Sequence, residues 1–156
     1  MFVKFNSKDE RRRLYDNSTA FIELQYCKMP RKTKVKKILS IRHAKYWEND
    51  SLYIHLDNID LFVEYYGKIL NDCTYDNPEK RLFDINGYYY YNENDVEKIM
   101  NKIIEEKSKD YDKFLKWLEV AKSYNGFYFI GIKNGLAKQS VLWVRKKTQG
   151  CASVLK

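Results

Sequence analysis

Few side chains in this sequence could carry covalent or proton-transfer chemistry. Two histidines are present, His43 and His55, twelve positions apart, with Glu48 and Asp50 between them. If adjacent strands bring His43 together with either carboxylate, the group has the makings of an acid–base or hydrolytic metal site acting on RNA. The competing reading is two exposed strand histidines. No cysteine pair stands at finger or ribbon spacing beside them, so no zinc centre is expected. The six glycines form neither a G-x-x-x-x-G-K loop nor a strand-following G-x-G-x-x-G, and no G-x-S-x-G occurs. No metal or other cofactor is therefore expected. Gly126-Phe127-Tyr128-Phe129-Ile130-Gly131 has the letters of a GIY-YIG nuclease, but fused into one run where that chemistry needs two separate strands. A buried strand accounts for it. Glu105-x-Lys107 has nuclease spacing on what reads as a helix surface, which is the wrong context.

Binding chemistry is better represented. Charge is polarised along the chain: +9 over residues 1–45, −8 over 46–95, +1 over 96–125 and +6 over 126–156. The basic side chains placed to meet phosphates or another charged partner are Arg11, Arg12 and Arg13, then Lys28, Arg31, Lys32, Lys34, Lys36 and Lys37, and near the C-terminal end Arg145, Lys146 and Lys147. Roughly six to ten phosphate contacts of this kind would make binding steeply salt-dependent. The competing reading is a solvated charged loop. Tyr88, Tyr89, Tyr90 and Tyr91 lie in the acidic third, where a nucleic-acid backbone is repelled. Ordinary sheet packing is the favoured reading for this run, with its outward members available as a protein interface.

These groups must be positioned by elements that the residue pattern predicts. A short strand is expected at 2–5, then a helical turn or two over 8–15. Ser7 and Glu10 have capping-box spacing there, and the turn would display the three arginines. Strict alternation over 20–27 predicts a strand with Ala20, Ile22, Leu24 and Tyr26 facing the core. Residues 28–37 should form an exposed hairpin-like connection into a strand at 38–43. Another strand follows at 52–56, and then a helix capped by Asp57 or Asn58 with Leu61, Phe62, Tyr65, Tyr66, Ile69 and Leu70 as its apolar stripe. Asn86-Gly87 predicts a hairpin joining 81–85 to 88–91. Two helices come next, the first capped by Asn94 with Glu97 and the second ending at Asn125-Gly126, with a break near 107–109. A buried strand over 127–132 and a last strand over 139–145 complete the series.

This order predicts an α+β fold: a mostly antiparallel sheet of about five to seven strands with about three helices packed on one face. With 156 residues, 44% of them hydrophobic, one globular domain is expected over 1–145, with a flexible tail at 146–156. Cys27, Cys73 and Cys151 are odd in number and widely spaced, which fits a reducing compartment. The first residues lack an apolar signal core, and no run is long enough to span a bilayer. A cytoplasmic protein of a bacterial host is expected, with no membrane partner.

Asp9-Glu10-Arg11-Arg12-Arg13-Leu14-Tyr15, and Lys113-Phe114-Leu115-Lys116-Trp117-Leu118 through Tyr124-Asn125-Gly126-Phe127-Tyr128, loosely resemble segments of the small anti-CRISPR inhibitors. Such proteins belong to phages and conjugative elements of low-GC bacteria. They share no common fold and no common catalytic residues, so no residue role carries over. The resemblance implies a mode of action: a compact protein that occupies an RNA-guided nuclease, another nucleoprotein complex, or the guide RNA. The expected function is a non-catalytic binding inhibitor, its basic ends and its acidic, tyrosine-rich middle engaging the complex. The alternatives are a stand-alone DNA- or RNA-binding accessory protein and a small ribonuclease using His43.

Overall fold

A computed structural model describes residues 1–14, 21–40, 48–72 and 84–132. Among these residues the chain forms an open five-stranded antiparallel sheet and five helices. The strands are β1 (Phe2–Val3), β2 (Phe21–Tyr26), β3 (Leu52–His55), β4 (Tyr88–Tyr91) and β5 (Phe127–Ile130), in the order β1-β3-β2-β5-β4. Ile22 opposes Ile54, Leu24 opposes both Leu52 and Phe129, and Tyr91 opposes Phe127. Because side chains alternate along a strand, this register gathers one apolar set on a single face of the sheet.

That first face carries the main core. Ile22, Leu24, Tyr26, Leu52, Ile54, Phe127 and Phe129 pack against three helical units. One is continuous: a 3-10 turn (Leu56–Asn58) leads into α3 (Ile59–Phe62), a π turn (Val63–Gly67) and α4 (Lys68–Asp72). The others are α5 (Glu93–Glu106) and α6 (Tyr111–Ser123), whose apolar stripes are the ones the sequence periodicity predicts. Trp117 stacks on Tyr26, with centroids 4.2 Å apart and planes 11° from parallel. Its indole Nε1 donates to the Asp50 carbonyl at 2.9 Å, and the Tyr26 hydroxyl donates to the Trp117 carbonyl at 3.0 Å, so both polar tips of the stack are satisfied. No helix among the described residues is long and apolar enough to cross a membrane.

Helices cover both faces, not one. On the second face α1 (Lys8–Leu14) lies over Phe21 and Tyr53, and α2 (Val35–Ser40) packs Val35 and Ile38 against Cys27, Tyr90 and Tyr128. The whole of β2 is consequently buried, including Glu23 and Gln25.

Local signals explain where prediction and structure part. Residues 35–40 are helical where a strand at 38–43 was expected, because Val35 and Ile38 stand three apart and share the buried side of one turn, closed by Ile38 N–H donating to the Lys34 carbonyl at 3.1 Å. Residues 41–43 lie outside the described set. The cap of α5 is Asn92, whose side chain accepts from Asp95 N–H while Asp95 accepts from Asn92 N–H. Asn94 with Glu97 has the same Asn-x-x-acid spacing, but β4 ends at Tyr91, so the chain enters the helix at the earlier pair. Asn86-Gly87 is not a hairpin turn of the expected kind. A type I′ turn needs positive φ at both central residues, and among the described residues Gly126 is the only glycine with positive φ. The turn instead runs from Asp84, whose carboxylate accepts from Asn86 N–H and whose carbonyl accepts from Gly87 N–H. The carbonyls of Ile85 and Gly87 then accept from Ile132 and Gly131 and extend the edge beside β5. The expected strand at 139–145 and the tail lie outside the described residues.

The capping box at Ser7 forms in modified shape: Ser7 Oγ accepts from Glu10 N–H at 3.0 Å, and the Glu10 carboxylate reaches back to Asn6 N–H. Lys107, at φ 50°, closes α5 at the predicted break.

Candidate functional site

The basic residues of the N-terminal third divide into those the fold consumes and those it displays. Lys28 is consumed. Its ammonium lies 2.8 Å from Asp50 Oδ2 and 3.9 Å from Glu48, and 5.7 Å from the Tyr124 ring centroid. The hydrogen bond to Asp50 raises its pKa. The two carboxylates weighed as partners of a catalytic His43 are thus occupied by a lysine, and His43 itself lies outside the described residues.

Arg31 anchors a turn. Its Nη2 donates to the carbonyls of Lys122 and Ser123 at 2.9 and 3.0 Å, capping the C-terminus of α6, and Nη1 lies 4.0 Å from Glu93. A guanidinium here satisfies carbonyls that have no helical partner and meets the negative end of the helix dipole. Asn125 reinforces the joint: its side-chain amide donates to the Pro30 carbonyl at 3.2 Å and its N–H to the Cys27 carbonyl at 3.0 Å. Cys27 N–H in turn donates to the Gly126 carbonyl at 3.0 Å.

From this fixed base the chain projects Lys32, Lys34, Lys36 and Lys37, all exposed. Lys32, Lys34 and Lys36 make no ion pair among the described residues.

Arg11 is not displayed. It is 6% exposed, with its guanidinium carbon 5.3 Å from the Phe21 ring centroid and 5.7 Å from that of Tyr53. Helical spacing places Arg13 on the outer side of the same short helix, and it is exposed. The side chain of Arg12, and Arg145, Lys146 and Lys147, lie outside the described set. The two basic clusters share a face but do not meet at one end of the sheet. They stand at opposite ends of β2.

Beneath α1 lies a polar group that strand alternation assigned to the non-core face. Glu23 is 6% exposed. Its carboxylate accepts from Ser51 Oγ at 2.7 Å and from Gln25 Nε2 at 2.8 Å. Burial pushes its pKa up to about 7, against the pull of those hydrogen bonds and of the Arg11 charge. The available signal was that Phe21 and Cys27, both apolar, bracket Glu23 and Gln25 on that face.

The remaining candidates are structural. His55 is buried and accepts from Asp57 N–H at Nδ1, 3.2 Å away, which caps the 3-10 turn; burial lowers its pKa. Among the described residues no group of three or more His, Cys, Asp or Glu could hold a metal ion. Tyr88–Tyr91 forms β4, with Tyr88 and Tyr89 half-buried and Tyr90 and Tyr91 buried. Tyr90 and Tyr91 are buried, with hydroxyls donating to the carbonyls of Asn125 (2.7 Å) and Leu70 (3.1 Å). Tyr89 accepts from Asp84 N–H, and Tyr88 stacks on Tyr128.

Displayed charge is unevenly placed. The second face presents Arg13, Lys32, Lys34, Lys36 and Lys37; on the first face the unit over 56–72 exposes Asp57, Asp60, Glu64 and Asp72 beside Lys68, while α5 and α6 expose both signs, Lys98, Lys102, Lys113 and Lys116 among Glu97, Glu105, Asp112 and Glu119. No family model, curated protein or solved structure matches the chain.

Proposed function

We propose that the protein is a non-catalytic binding inhibitor of a nucleoprotein defence complex, in the manner of an anti-CRISPR protein, engaging an RNA-guided nuclease or its guide RNA. The observation that carries this reading is a lysine-rich turn on one face of the sheet and an acidic helical unit over 56–72 on the other. A wholly basic surface suits naked nucleic acid. A body with a lysine-rich turn and a separate carboxylate-bearing helix is complementary to a partner that itself presents both phosphates and basic protein channels. Consumption of Glu48, Asp50 and Lys28 in one ion-pair cluster favours this over the ribonuclease reading, and burial of Tyr90 and Tyr91 leaves Tyr88, Tyr89 and the acidic helix surface for the protein contact.

The test is a cleavage assay with purified RNA-guided nucleases from low-GC bacteria, the protein being added before or after guide loading. Stoichiometric loss of cleavage, with a complex that co-elutes at moderate salt, is the expected result. Full cleavage in the presence of excess protein, with no co-elution from any effector tried, would refute it.

A further inference from the structure

We propose that the second face is a two-point clamp for the phosphate backbone of a double helix, with Arg13 at one end of β2 and Lys32, Lys34, Lys36 and Lys37 at the other, and with no contact to bases. The inference rests on the nucleoprotein reading above and specifies which part of such a partner this face takes.

The spacing follows from the strand between the two points. α1 sits over Phe21 and α2 over Cys27. Six residue steps at about 3.3 Å per residue place the two helices about 20 Å apart. A double helix rises 3.4 Å per base pair along each strand, so 20 Å corresponds to about six steps. Along one strand, both points are reached together by a duplex of at least about six steps and not by a shorter one.

Among the described residues this face offers little with which to read bases. Single-strand binders stack bases on exposed rings. Here the rings lying between and beneath the two helices, Phe21, Tyr53, Tyr90 and Tyr128, are buried, and the half-buried Tyr88 is stacked on Tyr128. Arginine reads guanine with its planar fork; the forks of Arg11 and Arg31 are committed to aromatic rings and to helix carbonyls, which leaves Arg13 as the one displayed fork on this face among the described side chains. The projecting lysines are point charges, suited to phosphate oxygens.

The test uses the full chain and labelled duplexes of about 16 base pairs in two unrelated sequences, as RNA and as DNA. It adds a stem of about five base pairs closed by an uncharged linker. Anisotropy titrations from 50 to 200 mM salt should show affinity falling several hundredfold, as five phosphate contacts at a slope of about −0.9 each require. The two sequences should bind alike within about twofold, and duplex RNA, duplex DNA or both should bind more tightly than a single strand of equal length. Arg13→Ala should weaken the long duplex severalfold and leave the short stem unchanged. Lys34→Glu/Lys36→Glu/Lys37→Glu should abolish binding to both, with circular dichroism reporting an intact fold.

A tenfold difference between sequences, tighter single-strand binding, or an Arg13→Ala variant that binds the long duplex as the wild type does would each overturn the clamp. The nuclease assay separates the two ideas. If the triple variant binds no duplex yet still inhibits the effector, the clamp falls and the inhibitor reading stands. If the wild type clamps duplexes and inhibits no effector, the inhibitor reading falls alone.

Discussion

Replacing Glu23 by Gln isolates the most heavily perturbed carboxyl among the described residues. The ordinary pKa of 4.5 applies in the unfolded chain, whereas burial holds the folded value at about 7. Between these limits the folded protein keeps a proton that the unfolded chain has released. The stability contributed is therefore present in full below pH 4.5 and is lost as the pH rises through 7. At about 1.4 kcal/mol per pH unit the whole span is worth about 3 kcal/mol, of which about 2.5 kcal/mol falls between pH 5 and pH 8. Glutamine keeps an acceptor for Ser51 Oγ and for Gln25 Nε2 while removing the ionisation. Urea denaturation of both proteins at pH 5, 6, 7 and 8 should show the variant gaining on the wild type by about 2.5 kcal/mol across that series. Asp95, whose pKa burial also raises, and His55, whose pKa burial lowers, titrate in both proteins and cancel in the difference. A difference that stays constant within about 0.5 kcal/mol across the series would refute the reasoning, because it would mean that Glu23 ionises as it does in water.

Two further substitutions test the joint that carries the basic turn. Gly126→Ala should destabilise the fold by at least about 1–3 kcal/mol from the left-handed backbone alone; at φ +77° its Cβ would also lie 1.9 Å from the Tyr91 carbonyl oxygen, and a thermal melt within a degree of the wild type would contradict this. Arg31→Lys preserves charge but cannot span the two carbonyls at the end of α6; it should lose about 1 kcal/mol in denaturation while duplex affinity stays within about twofold, and a large drop in affinity would return Arg31 to the phosphate-contacting set.

Elements with a strong period were legible from the residues. α5 and α6 follow from their apolar stripes, and β2, β3, β4 and β5 from alternation or short apolar runs. Their antiparallel pairing followed from strand order. What escaped depended on partners distant in sequence. A lone β2 with Glu23 and Gln25 on one side reads as half-exposed, and only the arrival of α1 and α2 buries those side chains. Residues 35–40 contain too little pattern to decide between helix and strand until Cys27, Tyr90 and Tyr128 offer Val35 and Ile38 a surface. The same limit governed the site. A run of basic residues announces a charged surface, but the separation of Lys28, Arg31 and Arg11 from the displayed lysines is set by Asp50, by the end of α6 and by the Phe21 and Tyr53 rings. None of these is adjacent in sequence. The tyrosine run was ambiguous for a related reason, since the hydroxyls of Tyr90 and Tyr91 find partners as far away as Asn125 and Leu70.

The placement of β5 governs how the chain must be made. In the order β1-β3-β2-β5-β4, the strand latest in sequence among the five lies between two much earlier ones. A ribosome that has released residues 1–126 has produced β2 and β4 with no strand yet available to join them, so each presents an unpaired edge. The two halves of the sheet can be sealed only by insertion of Phe127–Ile130 as the fourth of five strands, a pairing of long sequence separation and high closure entropy. Assembly of the sheet thus waits for the last of its five strands. Truncation before Phe127 would leave a chain with two sticky edges in place of a smaller folded protein.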